Sequence, residues 1–124
     1  MPNPVLNHVT VEVHPDRVEG CLRFYRDVLG FTQVESKVEN SAWFKEGVHL
    51  FWGEGIETSP DHNYAPPPRH FALEVGVINY DRIVGACIRR ALFIAEGTAY
   101  WGCRRCFVRD PSNNRIEIME WGPF

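Results

Sequence analysis

The sequence contains the same strand pattern twice. Residues 7–13 read NHVTVEV and residues 69–75 read RHFALEV. Each segment alternates polar and apolar side chains with a period of two, which is typical of a half-buried β-strand. His8 and His70 hold the same position in the two segments. A chain that repeats a strand in this way is constrained to fold as two similar modules.

Each of these strands is followed by apolar residues spaced three to four apart, which predicts an amphipathic helix. The first helix is introduced by Asp16, in a variant of the capping box, and Gly30 ends it. The second helix is expected to begin near Asn79. The predicted buried positions are Val18, Leu22, Tyr25 and Leu29 in the first helix, and Ile83, Val84, Cys87, Ile88 and Ala91 in the second.

Three further strands are predicted in each half, and the last two are joined by the turn at residues 110–114, where Asn tolerates a positive φ. The pattern is therefore βαβββ, repeated, which predicts an α+β fold with two mixed sheets curled around a shared cleft. The predicted strands cover residues 31–38, 41–45 and 48–52 in the first half, and 92–95, 103–109 and 115–120 in the second.

The length of 124 residues predicts one domain, 1–124. Its repeat halves are residues 5–52 and 69–120, joined by a Pro-rich linker, 53–68, which disfavours regular structure. Interspersed charges with a net charge of −3 argue against nucleic-acid binding. No signal peptide or stretch of about 20 apolar residues is present, so no membrane contact and a cytoplasmic location are expected.

The four cysteines are expected to be reduced thiols in that compartment. Cys103 and Cys106 form a single C-x-x-C, but a structural zinc site needs a second pair at similar spacing. Cys21 and Cys87 lie far apart in the predicted helices. The sequence therefore favours unpaired thiols over a zinc or redox site.

The strand pattern also predicts which side chains face the cleft. The valines of the first strand must face its helix, so the residues between them face the opposite way. In the closing strands, VHL at 48–50 aligns with IEI at 116–118, which makes His49 and Glu117 equivalent. The predicted cleft-facing residues are His8, Thr10, Glu12 and His49 in the first half, and His70, Ala72, Glu74 and Glu117 in the second.

Imidazole and carboxylate side chains from matched positions predict a metal site. Neutral His nitrogens and one carboxylate are ligands that Zn²⁺, Fe²⁺, Ni²⁺ or Mn²⁺ accept. We expect His8, His70 and Glu117 to bind a divalent ion of this kind. His49 is left open as a fourth ligand, a second-shell donor or a base, and it is included among the predicted metal residues.

Five segments resemble the vicinal oxygen chelate superfamily, which includes glyoxalases, bleomycin-resistance proteins and dioxygenases. They are LNHVTVEV, FYRDVLGF, AWF..GVHLF, RHFALEV and FVRDPSNNRIEIME. The resemblance implies a glyoxalase-like fold, with metal ligands where His8, His70 and Glu117 stand. Glyoxalases and epimerases have Glu or Gln at the position of His49, and the family usually has Gly at the position of Asn113.

The resemblance implies a metal-dependent enzyme that acts on a small substrate with adjacent chelating oxygens. Lyase, isomerase and dioxygenase chemistry all remain open. The ion would stabilise developing negative charge, and His49 or a bound water would transfer a proton. The catalytic residues expected are His49 and Glu117. The residues expected to contact substrate are Thr10, Trp43, Phe51, Trp101, Arg105 and Phe107, and Arg105 is also a candidate partner for Glu12 or Glu74.

The alternative is a metal-free protein that sequesters a small drug, as bleomycin-resistance proteins do. The four tryptophans and the net negative charge suit a cationic aromatic ligand. The His/His/Glu set argues against this reading. A homodimer is expected in either case, and repeat halves allow clefts within one chain or by exchange of halves.

Overall fold

The computed structural model describes residues 3–53 and 70–121. They belong to two compact units, one in each half of the chain. The predicted linker, 53–68, lies outside the described residues except for Gly53. That the halves form one domain around a shared cleft stays a prediction.

The first unit is a four-stranded mixed sheet with one helical segment. In the strand order β1-β4-β3-β2, the β1–β4 pair is parallel and the other pairs are antiparallel. The elements are β1 (Val9–Glu12), a 3₁₀ turn (Pro15–Arg17), α1 (Val18–Arg23), a π-helical turn (Phe24–Val28), β2 (Gln33–Val34), β3 (Ser41–Phe44) and β4 (Val48–Phe51).

The helical segment of this unit differs from a regular helix. The side chain of His14 accepts a hydrogen bond from the backbone N–H of Asp16, so His14 rather than Asp16 caps the turn. The π-helical turn then buries Tyr25, whose ring stacks on Phe44 of β3 with centroids 5.6 Å apart. Gly30 follows with a φ of 77°, as predicted for the helix end.

The second unit repeats the topology of the first. Its strand order is β5-β8-β7-β6, again with one parallel pair, β5–β8, and antiparallel pairs elsewhere. The helix packs against β6 and β8. The elements are β5 (Phe71–Glu74), α2 (Gly76–Arg89), β6 (Phe93–Glu96), β7 (Arg105–Arg109) and β8 (Arg115–Met119).

The predicted start of α2 at Asn79 is wrong. The helix begins at Gly76, whose φ of 78° turns the chain directly from β5 into the helix. No side chain caps this end, so the sequence carries no start signal there. The buried stripe includes Tyr80, whereas Ile88 is 58% exposed and Ala91 lies beyond the helix.

The predicted turn between the last two strands is confirmed. Asn113 has a φ of 67°, a conformation that Asn tolerates better than most residues. Asp110 is fully buried, and its carboxylate accepts hydrogen bonds from the backbone N–H groups of Ser112 and Asn114 and from the Asn114 amide.

The α+β class and the two βαβββ modules are therefore confirmed, each module with its own four-stranded mixed sheet. The predicted strands at 31–38 and 103–109 are shorter than expected, since only Gln33–Val34 and Arg105–Arg109 pair as strands. Within the described ranges, neither helix has the length and apolar character needed to cross a membrane.

Candidate functional site

Strand register brings three predicted site residues into one row in the first unit. Thr10 of β1 pairs with His49 of β4, and His49 pairs with Trp43 of β3. Paired residues point to the same face of a sheet. The alternate residues of β4, Val48 and Leu50, are buried on the opposite face.

His49 is tightly packed in this row. Its ring stacks on Trp43, with centroids 4.1 Å apart and planes 11° from parallel. Its Nδ1 lies 3.4 Å from Thr10 Oγ1, and its Nε2 is buried without a hydrogen-bond partner in the described structure. The residue is only 7% exposed. An unpartnered ring nitrogen at such a position is available to a ligand or a proton.

His8 lies beside this row at the start of β1. Its ring meets Trp43 edge-on at 4.4 Å and lies 6.0 Å from the ring of His49, both measured between centroids. Asn7 Oδ1 accepts a hydrogen bond from His8 Nδ1 at 2.8 Å. This contact places the proton on Nδ1 and leaves the Nε2 lone pair for a metal, as in many metal-binding histidines. Sequence reasoning missed Asn7, although it directly precedes His8.

The surroundings of His49 lower its pKa below the ordinary value. Burial is the largest cause, and the nearby His8 adds to it. Desolvation disfavours the charged imidazolium, so the neutral ring is favoured near pH 7. A neutral ring is the form that binds metals and accepts protons.

This shift predicts a pH dependence of stability in the chelator-treated protein. Because the pKa of His49 is lower in the folded state, the unfolded chain takes up a proton first as the pH falls below about 6.5. The contribution of His49 to the free energy of unfolding should therefore be complete above that pH. It should decline as the pH falls, until the pH has passed below the folded-state pKa of His49. Thermal melting from pH 8 to pH 5 should show a smaller decline in His49→Gln. Equal declines in the two proteins would contradict the prediction.

The second unit contains the equivalent row. Ala72 of β5 pairs with Glu117 of β8, and Glu117 pairs with Phe107 of β7. His70 directly precedes β5, as His8 directly precedes β1. The registers confirm the alignment of His49 with Glu117 that the sequence repeat predicts.

Glu117 contacts both of the polar residues beside it. Its Oε1 lies 3.1 Å from His70 Nε2, and its Oε2 lies 3.5 Å from a terminal nitrogen of Arg105. The residue is 6% exposed, and Oε2 has no hydrogen-bond partner in the described structure. The edge of His70 meets the ring of Phe107 at a centroid distance of 5.4 Å.

Arg105 is held in place by other contacts. Its Nε donates a hydrogen bond to Thr98 O at 2.8 Å, and its guanidinium lies 4.0 Å from the centroid of the Tyr100 ring. A Cβ at Gly97 would approach the guanidinium carbon to 2.8 Å, so a larger residue there would displace the guanidinium from its present position. Arg105, a predicted substrate contact and a candidate partner of Glu12 or Glu74, therefore forms its ion pair with Glu117.

Two predicted substrate contacts lie apart from these rows. Phe51 ends β4, is half-buried, and covers Gly53, where a Cβ would collide with its ring. Trp101 is 79% exposed at a hairpin tip and meets Trp121 edge-on, with centroids 4.7 Å apart. The cysteines are free thiols, and Cys103 and Cys106 contribute to neither row.

The imidazole nitrogens and the carboxylate oxygen are donor types that divalent metals bind, but the described residues do not form a complete metal site. Across residues 3–53 and 70–121, no three His, Cys, Asp or Glu side chains form a group able to hold a metal ion. His70 Nε2 and Glu117 Oε1, which lie 3.1 Å apart, would nevertheless be close enough to bind one ion together. The unpartnered nitrogen of His49 is also consistent with ligand binding.

One protein-family model matches most of the chain. A family model described as the Glyoxalase/Bleomycin resistance protein/Dioxygenase superfamily matches residues 5–118. The chain belongs to this superfamily. The superfamily match covers both rows, from His8 to Glu117. No curated protein matches the sequence.

Solved structures of glyoxalase-type proteins share the fold. A glyoxalase family protein from Bacillus anthracis matches with a TM-score of 0.69 and 24% identity, over 96% of this chain and 98% of its own. Lactoylglutathione lyase from Agrobacterium tumefaciens matches with a TM-score of 0.68 and 18% identity, over 96% and 95%. The fosfomycin resistance protein FosX from Listeria monocytogenes matches with a TM-score of 0.70 and 15% identity, over 99% and 97%. At these identities the likeness shows the fold alone.

Proposed function

We propose that the chain is a metal-dependent enzyme that acts on a small substrate with adjacent chelating oxygens. The observation that carries the proposal is the pair formed by His70 Nε2 and Glu117 Oε1, 3.1 Å apart, with Glu117 almost fully buried. A carboxylate removed from water next to an imidazole suits a cation. The similar structures include a lyase and a fosfomycin resistance protein, whose names support small-molecule chemistry.

His8, His70 and Glu117 would hold the metal, with His49 as the fourth ligand. Zn²⁺, Fe²⁺, Ni²⁺ and Mn²⁺ all accept this donor set. A divalent ion bound there would stabilise negative charge on substrate oxygens. Asn7 fixes the tautomer of His8, and Trp43 restricts the ring of His49 by stacking.

The two catalytic residues proposed are His49 and Glu117. The pKa of His49 is lowered by burial, so its Nε2 can accept a proton from substrate near pH 7 if it does not bind metal. Glu117 would contribute the negative charge of Oε1 to binding of the metal. The residues proposed to contact substrate are Thr10, Trp43, Phe51, Trp101, Arg105 and Phe107.

A metal-free binding protein is the second candidate. The ion pair between Arg105 and Glu117 favours it, because this carboxylate already has a cation beside it. The four tryptophans and the net charge of −3 suit a cationic aromatic ligand. The homodimer and the cytoplasmic location stay predictions in either case.

Metal content separates the two functions. Protein purified without chelator should contain near one divalent transition metal per chain, measured by elemental analysis. His70→Ala should lose most of it, because His70 is one of the three main ligands proposed and the nearest imidazole to Glu117. His14→Ala is the matched control, since His14 caps a turn and belongs to neither row of site residues, and should keep its metal. Full occupancy in His8→Ala, His70→Ala and Glu117→Ala alike would refute the metal site, whereas a wild type that contains no metal would favour the binding protein.

A further inference from the structure

The carboxylate of Glu117 has two different neighbours. Oε1 faces His70, whereas Oε2 faces the guanidinium of Arg105 at 3.5 Å without a hydrogen bond. The side chains of Glu117 and Arg105 are only 8% and 13% exposed. Water screens such a pair weakly, so the guanidinium acts on the carboxylate mainly through its charge.

Arg105 has contacts besides the one with Glu117 that hold its side chain in place. Thr98 O and the ring of Tyr100 hold the guanidinium, and the missing side chain of Gly97 makes room for it. Removal of Glu117 would leave these contacts in place. The positive charge is therefore a fixed feature of this face of the second unit.

We propose that Arg105 is a resident counter-cation for Glu117 and competes with a divalent ion for its carboxylate. This inference rests on the proposed metal-dependent function. In the metal-free protein Arg105 offsets the cost of burying the carboxylate. When a metal binds, the guanidinium repels it, so the site fills only at a higher free metal concentration. Arg105 is thus a positioning residue that sets metal affinity.

The first test is metal binding by the chelator-treated protein. In calorimetric titration with Mn²⁺, Arg105→Met should bind the ion about tenfold more tightly than the wild type, because a unit charge beside the carboxylate is removed. Arg105→Lys should stay near the wild-type affinity. Arg109→Met is the matched control, because Arg109 lies on the same strand but bonds Asn113 and the backbone of Ala91. It should leave the affinity unchanged.

The second test needs no metal. In thermal melts with chelator, Arg105→Met should lower Tm by about 4 °C or more, because Glu117 loses its counter-cation. The same substitution should cost much less in a Glu117→Gln background. Loss of this coupling, or a wild type that binds Mn²⁺ at least as tightly as Arg105→Met, would overturn the inference. If the coupling holds while no variant binds Mn²⁺, Zn²⁺, Fe²⁺ or Ni²⁺, the counter-cation is supported and the proposed metal function fails.

Discussion

Replacing His49 with alanine should weaken metal binding without abolishing it, by at least the roughly 10- to 100-fold in affinity that loss of an outer-shell partner costs. The buried, unpartnered Nε2 of His49 is the reason to expect a ligand there. His8, His70 and Glu117 would still hold the ion. His49→Glu should largely restore affinity, because carboxylate oxygen and imidazole nitrogen both suit such a metal. Calorimetric titration of the chelator-treated variants measures all of these effects.

The same variants separate a role as metal ligand from a role as base, two of the three roles left open for His49. If His49 is a base and not a ligand, His49→Ala will keep its metal, and turnover will fall on the order of 10²-fold or more. If neither metal content nor turnover changes, His49 only lines the site, and its alignment with Glu117 carries no function.

Replacing Asp110 with alanine should have the largest effect on stability, a loss of about 3 kcal/mol or more in the free energy of unfolding. Asp110 is fully buried and accepts three hydrogen bonds from Ser112 and Asn114. Alanine removes the acceptor and leaves the buried backbone N–H of Ser112 and the partly buried backbone N–H of Asn114 without their partner. The turn also requires Asn113 to keep its positive φ, so it has little freedom to rearrange.

Urea denaturation measures this loss, and an unchanged slope would show that both proteins unfold to a similar extent. Asp110→Asn is the control, because it keeps the Oδ1 acceptor for both backbone groups and should lose clearly less stability. A change below about 1 kcal/mol in Asp110→Ala would contradict the account of the turn.

The strand pattern predicted which candidate residues pair across the strands of each unit. Period-two alternation placed Thr10 on the exposed face of β1, and the repeat aligned His49 with Glu117, as the registers confirm. This succeeded because the side chains of a strand alternate strictly between two faces. The same argument predicts that His8 and His70 serve the same ion, which stays a prediction.

The sequence could not predict features that depend on contacts distant in the chain. The partner of Arg105 is set by the pairing of β7 with β8 and by the space that Gly97 leaves. Strand alternation places Arg105 and its neighbour Arg104 on opposite faces, but it does not give the partner of either, and Arg104 binds Glu120. The start of α2 at Gly76 was missed because it depends on a positive φ without any capping side chain.

The parallel strand pairs have a consequence for the order of folding. Thr10 and His49 are 39 positions apart in the sequence, and His70 and Glu117 are 47 apart. The parallel edge strands β1 and β5 therefore cannot pair until their partners β4 and β8, which lie far along the chain, have formed. Closing such long loops costs chain entropy, and contacts of this kind form slowly. We therefore expect the imidazole of His70 and the carboxylate of Glu117 to meet late in folding, and a local opening of β8 to separate them.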